Sequence, residues 1–509
     1  MRTRIVALAL ALATCGPCAA LIATPADAAK IVVSSRKDTV NGNTSSPAAL
    51  KADPGPDGIS LREAIIAANN RRGPHTITFA RKLAGKSIAP STVLPEITRD
   101  GISIVGLVDI NGQPTVTLDA SATDHPILLF IKASDFAVRS LRIVGLQVSH
   151  KKFGIFVRAG ATFGQPGRRR IANIEIRGNV FDNDPGLTTG SLAISVGMEP
   201  SATDASLSSV LIKSNTFARF RGEANGIHVA AGGNNNVIKD VTIANNTFSD
   251  IEFPVELVAA KATNSRIIRS QIVANSFDTG LQPVNLAHFG PGPTPVDPAA
   301  SLNLISDTLI SGNVFRDNRG PAIVILGGMS GATQNAINNT RIINNLIAGS
   351  TQFGGVSTVG GRAGGTQNSI ENVAVINNTV ADSFGSGVGV DPNLDGGTGN
   401  TVSGVSVRNT IFWNIGQGGW SEVYGLPLDA VRYSIIAQAG FAGANHNKSF
   451  NPRFMNSAAG DYHLQPTSRA IGKGTSRKAP ADDLDCRPRN VPPSIGAYEG
   501  NDPNICPAP

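Results

Sequence analysis

The stretch Val241-Thr242-Ile243-Ala244-Asn245-Asn246-Thr247-Phe248 decides the fold. Its centre, Asn246-Thr247-Phe248, recurs as Asn179-Val180-Phe181, Asn215-Thr216-Phe217, Asn275-Ser276-Phe277, Asn313-Val314-Phe315, Asn345-Leu346-Ile347, Asn378-Thr379-Val380 and Asn409-Thr410-Ile411, at spacings of 29 to 38 residues. Three residues before each Asn stands Ile176, Ile212, Ile243, Ile272, Ile310, Ile342 or Val375, and the last unit breaks the pattern with Ser406. Further upstream, Ile104-Val105-Gly106-Leu107 recurs as Ile143-Val144-Gly145-Leu146 and extends the array toward the N-terminus.

A period of this length suits helical solenoids, propellers or β-solenoids. The alternation in Val241-Thr242-Ile243 has the period of a strand, and Gly, Pro, Asn and Asp between the runs supply turns. Propeller blades need about 40 to 45 residues and recurrent aromatic signatures. Here only 5% of 509 residues are aromatic and 16% are charged, with 55 Gly and 31 Pro, which disfavours a helical or a disordered chain. The expected fold is all-β: a right-handed parallel β-helix whose coils stack at about 4.8 Å. The repeated Ile and Phe then point inward. The repeated Asn sits at a bend as scaffold, tolerating unusual backbone angles and bonding to the Asn of the next coil.

A solenoid must hide its end strands. Ser60-Leu61-Arg62-Glu63 has the spacing of a helix capping box, which predicts a short helical N-terminal cap over 60–70. Downstream, 452–509 is rich in Pro, Arg and Asp and lacks periodicity, which predicts an irregular C-terminal cap and tail. The expected division is 1–28 signal peptide, 29–100 N-terminal cap, 101–440 β-helix and 441–509 C-terminal cap.

Arg2 and Arg4 precede an apolar run, and Ala26-Asp27-Ala28 is a small-x-small cleavage pattern, so the start reads as a secretory signal and the protein is expected to be secreted or periplasmic. A lipoprotein reading at Leu12-Ala13-Thr14-Cys15 is the lesser alternative, and no segment suits a transmembrane span. Of the four cysteines, Cys486 and Cys506 remain after cleavage and are expected to pair across a tail loop. No cysteine or histidine spacing supports a structural metal. From Lys132 to Arg177 ten Lys/Arg face only Asp135 and Glu175. Such a stretch attracts acidic polysaccharide, lipopolysaccharide or nucleic acid, or simply forms a solvated face.

Ile59-Ser60-Leu61-Arg62-Glu63-Ala64-Ile65, with Ala68-Asn69 and Thr76-Ile77-Thr78-Phe79, resembles the Cys-Ser-Leu-Arg-Glu-Ala segment that opens many bacterial secreted right-handed parallel β-helix proteins, with Ile59 in place of the family's Cys. The stretch from Asn451-Pro452-Arg453-Phe454 to Ser494-Ile495-Gly496-Ala497-Tyr498-Glu499 is similar to their terminal segment. The resemblance implies architecture. It leaves activity open, since the fold serves lyases, hydrolases, epimerases, adhesins and passive surface proteins.

A substrate groove on a solenoid is made by equivalent positions of adjacent coils. Aligning one strand per coil by its Gly/Pro-apolar opening gives an outward column Phe156, Ser195, His228, Glu256, Asn285, Ile323. His228 and Glu256 are the candidate catalytic pair, able to share a proton, with Asn285, Arg219, Arg221 and Arg158 as candidate substrate-binding groups. Glycoside hydrolysis would need two facing carboxylates, for which Glu223 and Glu252 are the partners considered for Glu256. Asp391, Asn393 and Asp395, and Asp482, Asp483 and Asp485, lack the loop spacing of a calcium site and read as turns; a divalent cation such as calcium stays open as a cofactor, and no metal ligands are assigned. The expected function is binding or processing of an extracellular, acidic polysaccharide, lyase-like or glycosidase-like, by a monomer that takes no nucleic acid. The alternative is a non-enzymatic cell-surface or adhesion β-helix protein.

Overall fold

The computed structural model describes residues 29–123, 127–146, 152–183, 191–289, 300–417, 419–500 and 505–506. The signal segment 1–28 and Lys151 lie outside them, as does the side chain of Glu223. The chain is a right-handed parallel β-helix. Two long sheets, of 16 and 19 strands among the described residues, run the length of the molecule. Every pairing between named strands is parallel except the hairpin Phe454–Asn456 with Asp461–Leu464.

The repeat explains the stacking. Ile176, Ile212, Ile243, Ile272, Ile310, Ile342 and Val375 pair in register from coil to coil and are wholly buried. Phe181, Phe217, Phe248, Phe277 and Phe315 form an inner stack with ring centroids 4.7–4.9 Å apart and planes within 5°. The spacing equals the strand separation, so the ladder itself dictates this face-to-face geometry.

Asn179, Asn215, Asn246, Asn275, Asn313, Asn345 and Asn378 form a buried amide ladder, each Nδ2 donating to the next Oδ1 at 2.9–3.0 Å. The unusual backbone angle belongs to the residue before each one, not to the ladder Asn: Gly178, Ser214, Asn245, Ala274, Gly312, Asn344 and Asn377 are left-handed. The ladder Asn instead ties the turn's backbone to its neighbour. The last unit is displaced by one residue from the sequence reading. Asn409 occupies the left-handed position, Thr410 replaces the ladder Asn, and Val407 pairs with Val375, so Ser406 breaks nothing.

At the N-terminus the helix Leu61–Asn69 carries the expected capping box. The Ser60 side chain accepts from the Glu63 amide, and Glu63 accepts from the Ser60 amide at 2.8 Å. Glu63 also accepts from Asn41 and Gly42 at 2.7 Å each, so this buried carboxylate is a structural clasp. At the other end Cys486 and Cys506 are disulfide-bonded. Their segment runs back along the flank of the coils. Arg316 donates to Gly460 O, Asn344 to Asp482 O, and the Tyr462 hydroxyl to Asp382. No helix among the described residues is long and apolar enough to cross a bilayer.

Candidate functional site

The outward column lies on the strands Leu192–Met198, Thr216–Asn234, Thr247–Thr263 and Val284–Phe289. Parallel pairing sets Phe156 opposite Ser195, Ser195 opposite His228, His228 opposite Glu256 and Glu256 opposite Asn285. Neighbouring positions are therefore about 4.8 Å apart along the axis. The next position is Val324, followed by Ser357, Gly389 and Tyr424. Ile323, expected in this column, pairs with the inward Val284 and is wholly buried. Matching Pro321 to Pro283 shifts the strand by one residue, and a one-residue slip exchanges the two faces.

Glu256 is half-buried and held by amides from both sides. Asn285 Nδ2 donates to its Oε1 at 3.2 Å, and Asn225 Nδ2 donates to its Oε2. Asn285 is 3% exposed, and its Oδ1 has no hydrogen-bond partner among the described residues. A buried amide oxygen without a partner costs free energy that a ligand hydroxyl would recover. His228 is half-buried between Ser195 and Glu256. The Asn225 amide was not singled out by sequence reasoning. Its signal was weak, because three residues earlier on the same strand it belongs to another position of the bend.

The arginines expected to bind substrate each have a carboxylate partner. Arg219 pairs with Asp182 and donates to Asn183 O at 2.7 Å. Arg221 pairs with Asp250 at 2.6 Å. Arg158 is buried, pairs with Glu199 at 2.8 Å, donates to Ser195 Oγ at 2.8 Å and lies 3.6 Å over the Phe156 ring. Burial pulls its guanidinium below the usual range, against the opposing charge of Glu199. It is a pinned post at the head of the column. With Arg158, half of the ten cations of the basic stretch are ion-paired: Lys132 pairs with Glu96, Arg139 with Glu175, Arg142 with Asp182 and Arg168 with Asp100. The partners come from neighbouring coils, so counting charges along the chain overstated the free charge.

Two clefts open on this face. One, of about 460 Å³, is bounded by Glu256 and Asn285, by Phe253 and Phe289, and by Arg362. A second, of about 210 Å³, adjoins it. Beside the polar column a second outward row, Val258, Ala287, Leu326 and Val359, gives the groove an apolar wall. The Asp-rich turns are occupied by turn chemistry. Asp391 accepts from the Asn393 amide, Asp395 lies 3.4 Å from Arg362, and Asp483 accepts from the amides of Asp485, Arg487 and Glu499.

Chemically, an imidazole and an amide-oriented carboxylate on adjacent coils can pass a proton to and from a ligand laid across them. No family model matches the chain, and no curated protein matches it. Among solved structures it is similar to pectate lyase Pel9A, at 13% identity over 93% of this chain and 97% of that one, with a TM-score of 0.34. It is also similar to the A-module of the mannuronan C-5 epimerase AlgE4 of Azotobacter vinelandii, at 13% identity over 74% and 95%, with a TM-score of 0.28. A third is tailspike protein 3 of bacteriophage CBA120, at 13% identity over 84% and 61%, with a TM-score of 0.27. None of these values bears on the chemistry of the outer face.

Proposed function

We propose that the protein is exported and holds an extracellular polysaccharide along the outer column, with His228 and Glu256 as the pair that moves protons on it. The observation that carries this reading is the register: His228, Glu256 and Asn285 occupy consecutive outward positions, Glu256 is clasped by two amides, and Glu256 and Asn285 line the cleft. An extended ligand can touch all three at once, because their spacing follows the coil repeat. In a lyase-like β-elimination His228 takes the proton next to the sugar's carboxyl group and returns it to the glycosidic oxygen as that C–O bond breaks, Glu256 orients the imidazolium formed in between, and Asn285 holds a hydroxyl. A non-enzymatic binding role is the second reading. It is favoured by the ion pairs of Arg158, Arg219 and Arg221, which leave these cations committed elsewhere.

The test is incubation of the mature protein with alginate, pectate, glycosaminoglycans and neutral glycans, with and without calcium, following unsaturated products and reducing ends. The expected result is a product whose rate falls about 100-fold or more in His228→Ala and Glu256→Gln while glycan binding persists. Undiminished turnover in both variants removes the assignment of the pair. Failure to bind any glycan removes the proposal.

A further inference from the structure

The groove does not end at Asn285. The two clefts share Phe353, Ser357, Val359 and Leu394, so they form one continuous trough. At its far end stand three aromatic rings from two coils: Phe353 is 46% exposed, Trp420 50% and Tyr424 56%. Phe353 and Trp420 meet edge to face at 6.4 Å. Large exposed rings are costly on an inert surface, and here they converge on one trough.

The floor between them is nearly bare backbone. Gly354, Gly355 and Gly389 line it, and Gly389 holds the outward column position between Ser357 and Tyr424. A Cβ at Gly354 would fall 1.5 Å from Ser386 O, so no side chain fits there. At Gly389 an added Cβ meets no heavy atom within 4 Å, so the strand leaves open space at that point. Polar groups sit at the edge: Ser357, the Asp391 carboxylate, and the Ser386 hydroxyl, a buried oxygen with no partner among the described residues. Flat apolar walls, an open floor and a few convergent polar atoms suit a ring whose faces are C–H and whose edge is hydroxyl.

We infer that the Phe353, Trp420 and Tyr424 cleft is a second binding subsite, taking an uncharged pyranose ring of the same polysaccharide about 19 Å along the axis from Glu256, four coil spacings away. The inference rests on the polysaccharide reading of the column and adds its polarity and reach. Among the residues lining this end Asp391 is the one charged group, and Arg362 of the adjoining cleft already faces Asp395, so the end disfavours a second anionic group. An extended chain then lies with one segment at the proton-transferring pair and another stacked at the rings.

The experiment uses the full-length mature protein and calorimetric titration with di- and hexasaccharides of neutral glucan, xylan, alginate and polygalacturonate. The variants are Trp420→Ala and Gly389→Leu, beside Glu256→Gln. Gly389→Leu fills open space on an ordinary strand, so an unchanged melting temperature establishes its fold. The expected result is a loss of about tenfold in hexasaccharide affinity for Trp420→Ala, and a larger loss for Gly389→Leu, with disaccharide affinity at the column unchanged. Wild-type hexasaccharide affinity in both variants overturns the subsite; it leaves the column standing if Glu256→Gln binds the same chain but has lost its turnover. Binding of a proline-rich peptide, blocked by Gly389→Leu, with no glycan bound overturns both readings.

Discussion

Asn275 shows what one residue does in the wall. Its Nδ2 donates to Ile243 O at 2.9 Å and to Asn313 Oδ1 at 3.0 Å, while its Oδ1 accepts from the amide and the side chain of Asn246 at 2.9 and 3.0 Å. All of these groups are buried, so truncation leaves several without partners at once. Asn275→Ala is expected to lower the unfolding free energy by about 2 to 3 kcal/mol, seen as a lower urea midpoint, whereas an exposed Asn should change it little. A loss within the error of the measurement would mean that water replaces the amide. The same logic identifies a second ladder: Asn303, Asn335, Asn368 and Asn400 bond side chain to side chain at 2.9–3.0 Å. Its signature was also in the sequence, as Asn303-Leu304-Ile305, Asn335-Ala336-Ile337 and Asn368-Ser369-Ile370, and was overlooked because the Phe-bearing series is more conspicuous.

At the scale of strands and turns, the column from Ser195 to Asn285 was legible because each strand opens alike and its partners lie one period away. It failed at Ile323, where proline is a turn residue and fixes no register. The ion pairs of Arg158 and Arg219 were not legible, since Glu199 and Asp182 lie 41 and 37 residues away on other coils. A different element offers a pH test. In the terminal hairpin strand Asp461–Leu464, His463 sits between Asp485, 2.7 Å from Nε2, and Asp461, 2.6 Å from Nδ1, with the Tyr498 ring 4.0 Å away. The hydrogen bond to Asp485 raises its pKa above the ordinary value of 6.5; burial opposes this and Asp461 adds to it. A raised folded pKa means that the imidazolium stabilises the folded tail fully below about pH 6.5 and that this contribution is lost as pH rises through the folded value. Hydrogen exchange of the hairpin amides, corrected for intrinsic rates, is expected to show protection falling above that pH in the wild type and no such step in His463→Gln. Identical profiles would show that the carboxylates hold the tail without the charge.

For the molecule as a whole, a solenoid is held together coil by coil, so its stability is distributed along the axis. The tail is different. It covers an outer apolar strip, Leu346, Ala348, Ala381 and Ile411, with Tyr462, Leu464 and Ile495, and its hydrogen bonds reach back across 66 to 145 residues. That placement was invisible in the sequence because no period relates the tail to the coils it touches. The disulfide between Cys486 and Cys506 spans 20 residues and lies entirely within this strap. It restricts the unfolded tail by about 3 kcal/mol in a chain-entropy account and contributes nothing to the pairing of coils. Reduction is therefore expected to raise exchange and proteolysis of 454–500 by about 100-fold while the ladder amides around Asn246 keep their protection. The flank strip then becomes exposed, and association of the reduced protein should follow at high concentration. If the ladder amides lose protection together with the tail, strap and coils form one cooperative unit, and the coil-by-coil account of stability fails.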